Sequence, residues 1–180
     1  FCKYHYNYHR DVPQLLGFPR YDALEKKEDY REIVIMPSWR RYFHHSTKEK
    51  ILKSNYFKIY NTLINDHSLI DFCKKHGYKL IFKPHPNVYR FIELFETNDY
   101  VTIDSTSNSY NDIFTHASLI ITDYSSIAFD FAYLKKPVIY YHYAKDYHFD
   151  LEESYFDYKT MGFGEVVDNH EELIDLIMKY

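Results

Sequence analysis

Glycine is scarce, with 4 among 180 residues, and the glycine-rich nucleotide loops are missing with it. Neither G-x-G-x-x-G nor G-x-x-x-x-G-K-[ST] occurs, which excludes the dinucleotide fingerprint and the P-loop. G-x-S-x-G is absent too, so there is no nucleophile elbow of the hydrolase type. Cysteine is limited to Cys2 and Cys73, without a C-x-x-C pair, which removes a zinc signature. Cys73 sits in an apolar helical pattern and is expected as a reduced core residue, in keeping with a cytoplasmic compartment. No apolar run reaches the length of a membrane span, and no signal-peptide pattern follows Phe1. The sequence therefore reads as a piece of a longer protein. The net charge of −4 is the opposite of the clustered basic excess that general nucleic-acid binding requires, so nucleic acid is not an expected partner. Adjacent His44 and His45 cannot easily aim at one ion, and His142 and His148 lack a third ligand at a regular spacing. No metal and no cofactor are expected.

What is present is a globular composition of sufficient length for one core, not comfortably for two. Short apolar runs predict strands at 32–36, 78–82, 100–103, 118–122 and 138–141. Pro37 and Pro84 stop the first two. Between them lie helical patterns at 67–76, 88–95, 110–116, 127–134 and 171–178, and another opening at the capping-box spacing Ser46-Thr-Lys-Glu49. Gly77 stands where a helix C-terminus favours it, and 142–168 reads as irregular. Alternating short strands and helices predict an α/β fold, a doubly wound parallel sheet of the Rossmann-like kind.

Open parallel sheets bind ligands beyond the carboxyl ends of their strands. Three separate segments bring polar groups to that rim: Ser38, Trp39 and Arg40; Lys83 to Pro86; and Asp123, Tyr124, Ser125 and Ser126. The last group is a turn between a strand and a helix. A helix start with Ser125 and Ser126 suits a phosphate, and equally describes a plain serine cap on a core helix. Asp130, one helical turn past Ser126, either accepts from a ribose diol or is satisfied by a neighbouring backbone group. Arg40 offers a planar fork for phosphate oxygens or is a surface loop residue. His85, held between two prolines, is placed to donate to a phosphate or to exchange a proton, or is a plain loop histidine that does neither.

The blocks Gly17-Phe-Pro-Arg-Tyr-Asp22, Met36-Pro-Ser-Trp-Arg40, Lys83-Pro-His-Pro86 and Ile121-Thr-Asp-Tyr-Ser-Ser-Ile-Ala-Phe-Asp130 occur in that order. Together they resemble the C-terminal domain of the CDP-glycerol:poly(glycerophosphate) glycerophosphotransferase family, the teichoic acid polymerase-like enzymes. Asp112 matches an acidic position of that family. The resemblance implies that 1–180 is one CDP-glycerol-binding domain, the C-terminal half of a two-domain GT-B architecture, with an acceptor domain N-terminal to it outside this chain. The implied reaction moves glycerol phosphate from CDP-glycerol to the hydroxyl end of a cell-wall or capsular polymer and releases CMP. Arg40, His85, Ser125 and Ser126 would hold the pyrophosphate, with Asp123, Tyr124 and Lys83 beside them. Asp130 would meet the ribose or a nearby hydroxyl, and His85 would be the catalytic group. The acceptor would be lipid-linked, implying work at the inner face of the cell membrane. Gly162-Phe-Gly-Glu165 replaces a Pro-Gly-containing segment usual in the family, which leaves ribitol phosphate or another polyol phosphate open as donor. Two other readings differ in class: half of a UDP-sugar-dependent glycosyltransferase or epimerase, and a nucleotide-binding module without turnover in isolation.

Overall fold

Apolar, β-branched and aromatic runs form the strands, and their alternation sorts the core into two layers. Within the first strand, Ile33 and Ile35 enter one buried cluster while Val34 and Met36 enter the other. This is the period of two expected of a strand covered on both faces. The computed structural model describes residues 14, 16–25, 31–106, 110–143 and 156–180. Cys2 and His148 lie outside the described residues.

Among these residues the strands are β1 (Glu32–Met36), β2 (Lys79–Phe82), β3 (Val101–Ile103), β4 (Ala117–Thr122), β5 (Val138–Tyr141) and β6 (Glu165–Val167). Every neighbouring pair is parallel, in the order β3-β2-β1-β4-β5-β6. The chain order reverses between β1 and β4, which is the switch point where such sheets open a crevice. The helices are α1 (Lys48–Lys53), α2 (Asn55–Ile64), α3 (His67–His76), α4 (Tyr110–His116), α5 (Ile127–Tyr133), α6 (Tyr158–Met161) and α7 (His170–Ile177). The fold is the expected α/β, Rossmann-like parallel sheet.

Several local expectations change. The helical stretch after residue 46 starts one residue later, with Thr47 as its cap, and breaks at Ser54. The Ser54 hydroxyl then accepts from the Phe57 N–H and starts α2. The pattern at 88–95 is a 3-10 helix, Pro86–Leu94. Its β-branched and aromatic residues are poor α-helix formers. A three-residue turn also brings Val88 and Phe91, both buried, to the same side. The region 142–168 is not wholly irregular, since it supplies α6 and β6. Gly164 makes β6 possible: a Cβ there would overlap the Val138 carbonyl oxygen of β5. Gly77 has φ +71°, the left-handed conformation that ends α3 at small cost for glycine. Cys73 is buried and free, and burial pushes its thiol up to about 11, so it is an inert core thiol.

Candidate functional site

Proline ends β1 and β2, and the loops that follow turn over the sheet rim beside the loop after β4. They enclose a cleft of about 230 Å³ whose lining includes Ser38, Lys83, His85, Tyr110 and Ser125. The three predicted segments therefore converge, at the switch point of the sheet.

His85 is the cap of the 3-10 helix that starts at Pro86. Its Nδ1 accepts from the Asn87 N–H at 3.2 Å, which leaves the ring proton on Nε2. The ring stacks on Trp39 at 5.9 Å between centroids, and His44 meets Trp39 edge-on from 4.6 Å. Burial lowers the His85 pKa below its usual value, so the imidazole is neutral at neutral pH. Among the described residues Nε2–H has no acceptor. Ser125 accepts from the Ile127 N–H at 3.4 Å through its hydroxyl oxygen, and its proton too finds no acceptor there. Ser126 precedes α5, is exposed, and makes no capping bond with its side chain.

Other predicted ligands are engaged within the chain. Arg40 is neither a surface residue nor a fork open to phosphate. It is 5% exposed, and its Nη1 donates to Asp123 Oδ2 at 2.9 Å, to the Ser38 carbonyl at 3.0 Å and to Ser38 Oγ at 3.1 Å. Its Nη2 donates to the Tyr143 hydroxyl at 3.1 Å. Burial works against the guanidinium charge, but the Asp123 charge together with the Tyr143 and Tyr60 hydroxyls outweighs it, and the pKa is raised. Asp123, fully buried, also accepts on Oδ1 from the Ser38 and Tyr124 N–H groups at 2.8 and 2.7 Å. Its carboxylate ties loops together and does not reach into the cleft. The Tyr124 ring stacks on His142 at 4.1 Å, and His142 Nε2 bonds the Asp123 carbonyl at 3.1 Å.

Lys83 lines the cleft, yet its ammonium donates to Asp104 Oδ2 and to the Thr106 carbonyl, both at 2.9 Å. This pins the chain leaving β3. Asp130 is satisfied by a side chain that sequence reasoning missed. Arg20 grips it with Nε at 2.7 Å and Nη2 at 3.2 Å, so no ribose is needed to explain its burial. Arg20 in turn lies over Phe18 and Tyr21, and Tyr21 stacks on Tyr133 of α5 at 4.4 Å. The Gly17–Asp22 block is thus bound to the outside of α5. Asp112 is exposed on α4. Ser38, named among the rim residues, lines the cleft, and so does Tyr110, which was not named there.

The sheet order defines a doubly wound Rossmann-like domain with a crevice at the strand ends, at the switch point. The chain belongs to the family described as CDP-Glycerol:Poly(glycerophosphate) glycerophosphotransferase, whose model matches residues 1–180. It is 46% identical over 187 residues to the minor teichoic acid biosynthesis protein GgaB of Bacillus subtilis (strain 168), covering 99% of this chain and 21% of that protein. It is 29% identical over 187 residues to a teichoic acid glycerol-phosphate transferase of Staphylococcus aureus (strain NCTC 8325 / PS 47), covering 93% of this chain and 45% of the relative. A solved variant of the wall teichoic acid polymerase TagF superposes with a TM-score of 0.65 at 20% identity, over 87% of this chain and 36% of that one. The chain thus spans less than half the length of these relatives. Among the described residues no helix is long and apolar enough to cross a membrane.

Proposed function

We propose that this chain is the donor-binding, C-terminal domain of a two-domain GT-B transferase. The enzyme moves glycerol phosphate, or a related polyol phosphate, from CDP-glycerol to the hydroxyl end of a cell-wall or capsular polymer and releases CMP. Membership of the glycerophosphotransferase family supports the reaction class. The observation that carries the site is a pair of donors without an acceptor among the described residues, His85 Nε2–H and the Ser125 hydroxyl, lining one cleft at the switch point. Ser126 adds an exposed hydroxyl at the same turn.

In this reading the acceptor hydroxyl attacks the β-phosphorus while the bond from that phosphorus to the CMP oxygen breaks. Phosphoryl transfer requires in-line positioning and stabilisation of charge on the oxygens more than covalent chemistry. His85 serves as a neutral donor to a phosphoryl oxygen. Its Nε2–H is a weak acid, but the departing phosphate monoester has a second pKa of about 6 and leaves without being protonated. The acceptor's proton goes to a base on the N-terminal acceptor domain, which also receives the lipid-linked polymer at the inner membrane face. No cofactor is assigned. Alone, this domain binds donor without turnover.

Calorimetric titration of the chain with CDP, UDP and GDP tests the reading. CDP is expected to bind best, and His85→Gln and Ser125→Ala to weaken it. Preference for UDP would favour a sugar-nucleotide enzyme instead.

A further inference from the structure

The Arg40–Asp123 pair lies directly behind a residue that the cleft exposes. Ser38 follows β1, Asp123 follows β4, and these are the two strands that flank the switch point. Ser38 is fixed at three atoms. Its N–H donates to Asp123 Oδ1 at 2.8 Å, and its carbonyl and hydroxyl oxygens accept from Arg40 Nη1 at 3.0 and 3.1 Å. Nη1 has two hydrogens and, with Asp123 Oδ2 at 2.9 Å, three acceptors, so one hydrogen is shared. A hydroxyl oxygen that accepts from a cation turns its own proton away from that cation. Among the described residues this proton meets no acceptor, and Ser38 lines the cleft together with His85 and Ser125. Accepting from a guanidinium also polarises the O–H bond and makes it a better donor.

We propose that Ser38 is a third donor to the bound phosphoryl group and that the buried Arg40–Asp123 pair is a positioning device acting through it. The inference rests on the phosphate-binding reading above and deepens it. It separates the residue that touches the anion from the arginine that holds it in place. The plainer alternative makes the Ser38 hydroxyl only an anchor for Arg40. That alternative affects folding stability and leaves phosphate recognition untouched, because Nη1 keeps two acceptors when the hydroxyl is removed.

The test is calorimetric titration of the wild-type chain, Ser38→Ala and Ser38→Thr with CDP and, separately, with cytidine. Ser38→Gly replaces Ser38→Ala should the latter melt below the assay temperature. Losing a hydrogen bond to a charged group predicts roughly ten- to a hundredfold weaker CDP binding by Ser38→Ala. Cytidine affinity is expected to be unchanged, and Ser38→Thr to restore CDP binding. Arg40→Lys is expected to weaken CDP binding when Ser38 is present and to add little in the Ser38→Ala background. Wild-type CDP affinity in Ser38→Ala, with Ser125→Ala still impaired, overturns the role of Ser38 and leaves the cleft reading standing. Equal losses for cytidine and CDP overturn it as well, in favour of a purely structural serine. A wild-type chain that binds no CDP removes both readings together.

Discussion

Arg40→Ala separates a buried structural cation from a phosphate ligand. The substitution would leave the fully buried Asp123 carboxylate without its cation and the Tyr143 hydroxyl without its Nη2 donor. Breaking a buried ion pair by removing one partner costs about 3–5 kcal/mol. Asp123 retains the Ser38 and Tyr124 N–H groups, which places the expected loss near the lower end, about 3 kcal/mol. Domain stabilities are on the order of 5–15 kcal/mol, so this is a large fraction of the whole. Urea unfolding followed by circular dichroism reads it as a lower midpoint with an unchanged slope. Asp123→Asn is expected to lose a comparable amount, because its amide N–H group would face the guanidinium. A loss below about 1 kcal/mol in Arg40→Ala, the scale of an exposed pair, accompanied by abolished CDP binding, would refute the argument. It would mean that the guanidinium faces a ligand after all.

Two further outcomes follow from the same geometry. His85 should titrate below its usual value near 6.5 in NMR spectra of the folded chain, because burial disfavours its charged form. Its contribution to stability is then fully present above about pH 6.5 and is lost as the pH falls toward the folded value, and CDP affinity should be flat from about pH 7 to 9; a titration midpoint above the usual value would contradict the neutral-donor role. Gly164→Ala should lower the melting temperature steeply, because its methyl group would overlap the Val138 carbonyl and force β6 off β5; a cost of about 3 kcal/mol or more is expected, and an unchanged melting temperature would show that the edge strand is not held there.

The sheet was legible where sequence statistics are local. Glu32 to Met36 and Val138 to Tyr141 are dense apolar runs, and both appear as strands with the predicted limits. Helix α3 was legible for a different reason, its left-handed glycine stop. Strand β6 was not legible, since three residues are too few for a period-two pattern and its cause is an approach to Val138, distant in sequence. The site shows the same division. The rim segments could be named because proline and apolar runs mark where strands end. Which way each charged side chain turns could not. Arg40 and Asp123 are 83 residues apart and Arg20 and Asp130 are 110 apart, so neither pairing leaves a local mark. A loop arginine beside a strand end looks the same in sequence whether it turns outward to a phosphate or inward to a carboxylate.

That ambiguity has a physical resolution in the distribution of charge around the cleft. Arg40 pairs with Asp123, Lys83 with Asp104, and Arg20 with Asp130, so each of these cations near the rim is matched by a carboxylate. A site built on unpaired buried cations would face a heavy desolvation cost whenever its anion left. Here the paired charges keep the unliganded cleft stable. In the proposed reading the groups left to recognise an anion are neutral donors, whose free state is far less costly. Their strength comes from rigidity: the Nδ1 bond fixes the His85 ring, and the ion pair holds Ser38 across the switch point. Donors held in this way need little reorganisation as charge builds on a transferring phosphoryl group, which is the condition under which hydrogen bonds accelerate a reaction as well as bind its substrate.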